Sequence, residues 1–150
     1  MTREQLYLED IEIGSVWNGP SQTISESHFR DFAGLTGDFN PIHIDEEYAS
    51  ETQFGRRVAH GMLITSLTVV GATDLSPHLH ESMIAFLSQK STFHEPVFIG
   101  DTVFPQLTVT NVEPKAGTGI VTLKSEVHNQ DDDLILDGEL RLLVESRSGR

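Results

Sequence analysis

A carboxylate and an imidazole stand five residues apart in Gly37-Asp38-Phe39-Asn40-Pro41-Ile42-His43, and Ala59-His60-Gly61-Met62 follows after a short gap. Pro41 fixes its own φ and pushes Asn40 towards an extended backbone, so the segment turns and brings Asp38 and His43 together. A carboxylate beside a ring that exchanges protons near neutral pH is suited to general acid/base work. Gly61 contributes through its backbone. If it opens a helix, its N–H lacks an intrahelical acceptor and points outward with the positive end of the helix dipole behind it, which makes it an oxyanion-binding donor. Without a Cβ it also lets a ligand oxygen approach closely. Asn40 serves the turn or orients the pair through its side-chain amide. Taken alone, Asp-x-Asn-Pro reads as turn chemistry. Joined to His43 and to the helix start, it reads as a site.

The other candidate groups carry less. His60 by itself reads as a residue that caps or packs near a helix start. His28, His78, His80, His94 and His128 are scattered over turns and surface positions, and His78-x-His80 lies beside Pro77 without a third ligand, so no metal site is expected. Asp131, Asp132 and Asp133 lack the spaced oxygen ligands and central glycine of a calcium loop and read as a hairpin turn. The chain has no cysteine, which removes disulfides and a thiol nucleophile and would leave zinc only histidines and carboxylates. Ten basic residues against twenty-three acidic ones give a net charge of −13. That balance repels a phosphate-rich polymer and argues against nucleic acid as a partner. The N-terminus has no apolar signal core, and no apolar run approaches the roughly 18 residues of a membrane span. The expectation is a soluble, cytoplasmic protein with one domain over residues 1–150, a length that buries about 68–70% of the unfolded chain's surface.

Several elements are needed to position the motif. Residues 14–23 read as a first strand ending at Asn18-Gly19-Pro20, with the proline working against strand structure there. Ser25 is placed as a helix N-cap, with Ile24 and Phe29 spaced for a hydrophobic staple. Phe29, Phe32 and Ala33 share a helical face, and Gly37 is placed to end that helix in a left-handed turn that delivers Asp38. Residues 46–52 suit a short helix that Gly55-Arg56-Arg57 breaks. Residues 61–75 are apolar on nearly every side and predict one buried helix of about 22 Å. Residues 83–93, 102–112, 118–128 and 134–144 predict four strands, two of them with clear period-2 alternation, separated by turn residues. The pattern asks for an antiparallel sheet curled around one central helix.

The run from Phe32 to His43, with Ala49, His60-Gly61-Met62 and Phe93-His94-Glu95-Pro96-Val97-Phe98-Ile99-Gly100-Asp101, closely resembles the MaoC-like, (R)-specific enoyl-CoA hydratases. The resemblance spans about residues 10–145. It implies the α+β hot-dog fold, in which a long central helix is wrapped by a curved antiparallel sheet, and assembly as a homodimer or higher homo-oligomer. It also implies reversible hydration of a trans-2-enoyl thioester to an (R)-3-hydroxyacyl thioester, as in fatty acid metabolism. Asp38 and His43 match the family's catalytic pair and would hold one water between them, with the N–H of Gly61 facing the thioester oxygen. The substrate is an acyl-CoA or acyl-carrier thioester, and no metal or redox cofactor is implied. Coenzyme A needs local positive charge, for which Arg56, Arg57 and Lys90 are the candidates nearest the motif. Where some relatives carry a helix hydroxyl two turns beyond the Gly-Met pair, this chain has Val69, with Ser66 and Thr68 as the neighbouring hydroxyls. The same fold hosts thioesterases and non-catalytic acyl-CoA-binding or assembly subunits, so the fold alone does not decide the activity.

Overall fold

The computed structural model describes residues 3–149. Six strands form an antiparallel sheet in the order β1-β4-β5-β6-β3, with the short β2 also paired to β4. The strands are β1 (Val16–Asn18), β2 (Gln22–Thr23), β3 (Met83–Phe93), β4 (Thr102–Pro114), β5 (Thr118–His128) and β6 (Leu134–Glu145). The single strand expected over residues 14–23 is two short ones. Between them lies Gly19-Pro20, where proline has no N–H to give the ladder and the N–H of Gly19 reaches Pro105 O at 3.0 Å.

Alternation decides which sheet face is buried. Val103, Leu107 and Val109 on β4, Val121, Leu123 and Val127 on β5, and Leu140, Leu142 and Val144 on β6 are all buried, while their sequence neighbours are less so. Register pairs Leu123 with Leu140 and Leu107 with Ser125. Two apolar clusters cover this face. One gathers Leu8, Ile11, Val70, Leu75 and Leu79 over the middle strands. The other fixes α1 (Glu26–Thr36) and α4 (Gly61–Ser66) through Ile24, Phe29, Leu63 and Ile64 packed on Val103, Val127 and Leu136.

The helix on the sheet is shorter than residues 61–75 predict. It ends at Ser66, and Val69 is extended at φ −60°, ψ 133° before a single 3-10 turn over Val70–Ala72. Hydroxyls compete for the helix carbonyls: Ser66 Oγ donates to Leu63 O at 2.5 Å and Thr68 Oγ1 to Thr65 O at 2.7 Å. Three β-branched residues in a row, Thr68, Val69 and Val70, further disfavour helix. Nor is the segment buried all round. Met62 is 63% and Val69 51% exposed. The α+β hot-dog arrangement of an antiparallel sheet with a helix laid on it is otherwise as expected.

Candidate active site

The chain reaches the site through α1. Ser25 is its N-cap, and the backbone N–H of Ser25 donates to His28 Nδ1 at 2.9 Å, while Ile24 and Phe29 lie in one buried cluster, as a staple requires. Gly37 ends the helix at φ 81°, a left-handed conformation that costs glycine nothing, and its N–H closes on Ala33 O at 2.8 Å. Asp38 therefore leaves the helix at a fixed angle. Two residues on, Asn40 is the N-cap of α2 (Pro41–Ile44), its side-chain oxygen accepting from Ile42 N–H at 3.1 Å. The amide is used for the turn, which leaves Asn40 a supporting role. α3 (Glu46–Ser50) follows, capped by Asp45.

His43 is held by its other edge. Its Nδ1 lies 2.6 Å from Val58 O, and because a carbonyl only accepts, Nδ1 carries the proton. In the neutral ring Nε2 presents a lone pair, 3.8 Å from Asp38 Oδ2. That gap is too long for a direct hydrogen bond and suits one bridging water. Both facing atoms are acceptors, so a water between them is held by its two hydrogens and keeps its oxygen lone pairs for attack.

His60 completes the cluster. Its ring stacks on His43 with centroids 3.8 Å apart and planes inclined by 24°. Its Nε2 donates to the main-chain oxygen of Asp38 at 3.0 Å. Gly61 follows it as the first residue of α4, so its N–H has no intrahelical acceptor. A Cβ on Gly61 would stand 3.1 Å from Phe93 Cζ, so the glycine admits the Phe93 ring over the helix start. A cleft of about 290 Å³ lies next to the cluster, lined by Phe54, Val58, Ala59, Ile64, Phe93 and Ile135 among others. It reaches Ala59, the chain neighbour of His60, while Asp38, His43, His60 and Gly61 themselves are not in its lining. Asp38, His43 and His60 each offer a donor atom within 4.8 Å of the others. Two nearly parallel stacked rings, however, aim their in-plane lone pairs side by side. The ring planes meet far beyond a metal–nitrogen bond of about 2.0–2.1 Å, so the pair does not suit one shared ion.

The basic residues divide. Arg57 is gripped by Glu26, with Nη1 to Oε1 at 3.1 Å and Nη2 to Oε2, and it also reaches Ile44 O. The Arg57 hydrogen bonds hold the Glu26 carboxyl below the usual carboxylate range, against the opposing effect of desolvation, and Glu26 in turn raises Arg57. Arg57 thus ties α1 to the loop before α4 and is not a free cation for a substrate phosphate. Arg56 lies 3.8 Å over the Phe98 ring, beside a cleft it shares with Arg57, Glu26, Glu46 and Ile99. Lys90 does not join the cluster. Ser91 next to it accepts from Thr65 of α4 at 3.1 Å, so strand alternation turns Lys90 to the opposite face. The hydroxyls of Ser66 and Thr68 bond to their own helix carbonyls rather than replacing the hydroxyl absent at Val69.

Residues 11–130 match the MaoC like domain. The chain belongs to the MaoC-like family. This MaoC-like protein is 37% identical over 141 residues to an (R)-specific enoyl-CoA hydratase of Rhodospirillum rubrum, covering 94% of this chain and 93% of that one. It is 34% identical over 139 residues to a 3-hydroxybutyryl-CoA dehydratase of Methylorubrum extorquens, covering 93% of this chain and 84% of the relative. Its fold superposes with a TM-score of 0.91 on a monoamine oxidase regulatory protein from Archaeoglobus, which is 38% identical, over 97% of this chain and 98% of the other.

Proposed function

We propose that the protein is a hydro-lyase that reversibly hydrates trans-2-enoyl thioesters to (R)-3-hydroxyacyl thioesters. The observation that carries the reading is the pair of facing acceptors, His43 Nε2 and Asp38 Oδ2, 3.8 Å apart, with Nδ1–H committed to Val58 O. Relatives named (R)-specific enoyl-CoA hydratase and 3-hydroxybutyryl-CoA dehydratase support it.

In this mechanism the pair holds water by its hydrogens and takes one proton as the oxygen attacks C3. Electron density moves through C2 to the thioester oxygen, which the N–H of Gly61 receives, and the pair returns a proton to C2. Acid/base assistance of this kind is worth about 10²–10⁴ in rate, and one oxyanion donor about 2.7–4 kcal/mol, so the two contributions are comparable. The thioester lies in the cleft beside Val58 and Phe93, carried by coenzyme A or an acyl carrier, with Arg56 as the nearer candidate for a phosphate. The chemistry calls on no metal or redox cofactor. Crotonyl-CoA tests the reading: loss of the conjugated enoyl absorbance without free thiol supports hydration. Thiol release with the double bond intact would make the protein a thioesterase, and neither signal over a range of chain lengths would make it a binding subunit.

The working unit we propose is a homodimer. β3 is an edge strand, and Ile84, Phe86, Leu87 and Phe93 on it are exposed, as are Met62 and Val69 of the neighbouring α4 segment. An unpaired edge beside an apolar patch of this kind is ordinarily covered. Sedimentation should give twice the chain mass, and Leu87→Lys should shift it towards the monomer; a wild-type monomer would remove the proposal. Among the described residues no helix is long and apolar enough to cross a membrane. We assign the activity to cytoplasmic fatty acid metabolism.

A further inference from the structure

We infer that His60 is a positioning residue, a neutral ring that locks the acid/base pair to the oxyanion donor. Three observations converge on it. Its imidazole lies stacked 3.8 Å from His43, its Nε2 holds the main-chain oxygen of Asp38 at 3.0 Å, and its own backbone runs directly into Gly61. One side chain therefore touches both members of the pair and is covalently joined to the helix start that receives the thioester oxygen. Phe29 and Phe32 close the rest of its surroundings, with ring centroids at 6.2 and 5.0 Å, and leave the residue 2% exposed.

The hydrogen bonding fixes the ring's state. Asp38 O only accepts, so the proton sits on Nε2, and Nδ1 is buried without a partner. A second proton on Nδ1 would be buried with no acceptor, which is costly. The ionisable groups nearest His60 are the Asp38 carboxylate and His43 itself; the Arg57–Glu26 pair lies behind Phe29. His60 therefore takes no part in the proton transfers. It presents a neutral π face to His43 while that ring carries the water proton, a favourable arrangement for a cation, and it keeps the carboxylate from drifting away from Nε2.

This inference rests on the hydratase reading, and the test separates the two. His60→Phe keeps the face and loses the donor, His60→Gln keeps a donor and loses the face, and His60→Ala loses both. With crotonyl-CoA, His60→Phe should lower kcat roughly tenfold, the worth of one neutral hydrogen bond. His60→Gln should lower it by roughly the same factor through loss of the π face against the charged His43 ring, and the alanine variant roughly 10²-fold, the effect of misplacing reacting groups. KM should stay within about twofold in all three. Should the alanine variant fail to fold, the phenylalanine and glutamine variants decide the matter by themselves. In long-range ¹H–¹⁵N spectra of the wild-type protein, His60 should appear as a single Nε2–H ring at neutral pH, whatever its activity. An Nδ1–H or doubly protonated His60, or variants that alter KM alone or nothing at all, would overturn the inference. A correct His60 signature in a protein inactive on every enoyl thioester would instead remove the hydratase reading.

Discussion

Substituting Gly61 separates two explanations of why glycine stands there. A Cβ would lie 3.1 Å from Phe93 Cζ and 3.3 Å from Cε1, inside the 3.5–4.0 Å at which carbon atoms pack best. The Phe93 ring must withdraw by a few tenths of an ångström. Gly61→Ala should therefore cost at the low end of overpacking, about 1 kcal/mol, which in a chain of this size lowers Tm by roughly 2–4 °C. Gly61→Val meets the same ring with more atoms and should cost about 2–3 kcal/mol. Activity should fall much further. A methyl group at the mouth of α4 obstructs the thioester oxygen, and losing that donor is worth about 10²–10³ in kcat. The decisive construction is Gly61→Ala combined with Phe93→Ala, measured by thermal circular dichroism and by kcat/KM on crotonyl-CoA against each single variant. Removing the ring should cancel the coupling in stability and leave the activity depressed. Recovery of both properties would mean that Gly61 is only a packing glycine, and the oxyanion assignment would be wrong.

Other perturbations test the remaining parts. Asp38→Asn and His43→Gln should each lower turnover by about 10²–10⁴ with cooperative unfolding retained; turnover near wild type in either variant removes that residue from the chemistry. Gly37→Ala places a Cβ in open space, so its cost should be the conformational one alone, about 1 kcal/mol for φ 81°. A denaturant midpoint unchanged by it would mean that the turn into Asp38 relaxes freely. The Glu26–Arg57 pair gives a pH dependence. Glu26 is held below its ordinary value by Arg57, so its stabilising contribution is fully present above the ordinary Glu pKa, near 4.3. It is lost as pH falls through the lower folded value, where the folded state too binds the proton. Glu26→Gln should therefore be less stable than wild type at neutral pH and converge with it in acid, and a constant difference across that range would contradict the assignment.

The sheet was largely legible because its information is local. Alternation and turn residues place β3 and β5 at their observed bounds, and β4 and β6 run only slightly further, to Pro114 and Glu145. The length of the central helix is not encoded in its apolar content, for a physical reason. Apolar content speaks to burial and not to conformation, and the hydroxyls of Ser66 and Thr68 bend the chain away from helix while Met62 and Val69 face outward. At the site, Asp38, Asn40 and His43 could be read because Pro41 and Gly37 constrain the backbone around them. The ring of His60 and the carbonyl of Val58 could not. They meet their partners across 22 and 15 residues, and no local spacing encodes such contacts. Arg57 looked available in sequence because its partner, Glu26, lies 31 residues away on α1.

A crystal structure with a slowly turned-over enoyl thioester addresses the central claim most directly. The account predicts the thioester oxygen about 2.7–3.1 Å from the N–H of Gly61, with C3 facing one water held between Asp38 Oδ2 and His43 Nε2. A thioester whose carbonyl carbon, instead of C3, faces that water, or whose oxygen points away from α4, would contradict it.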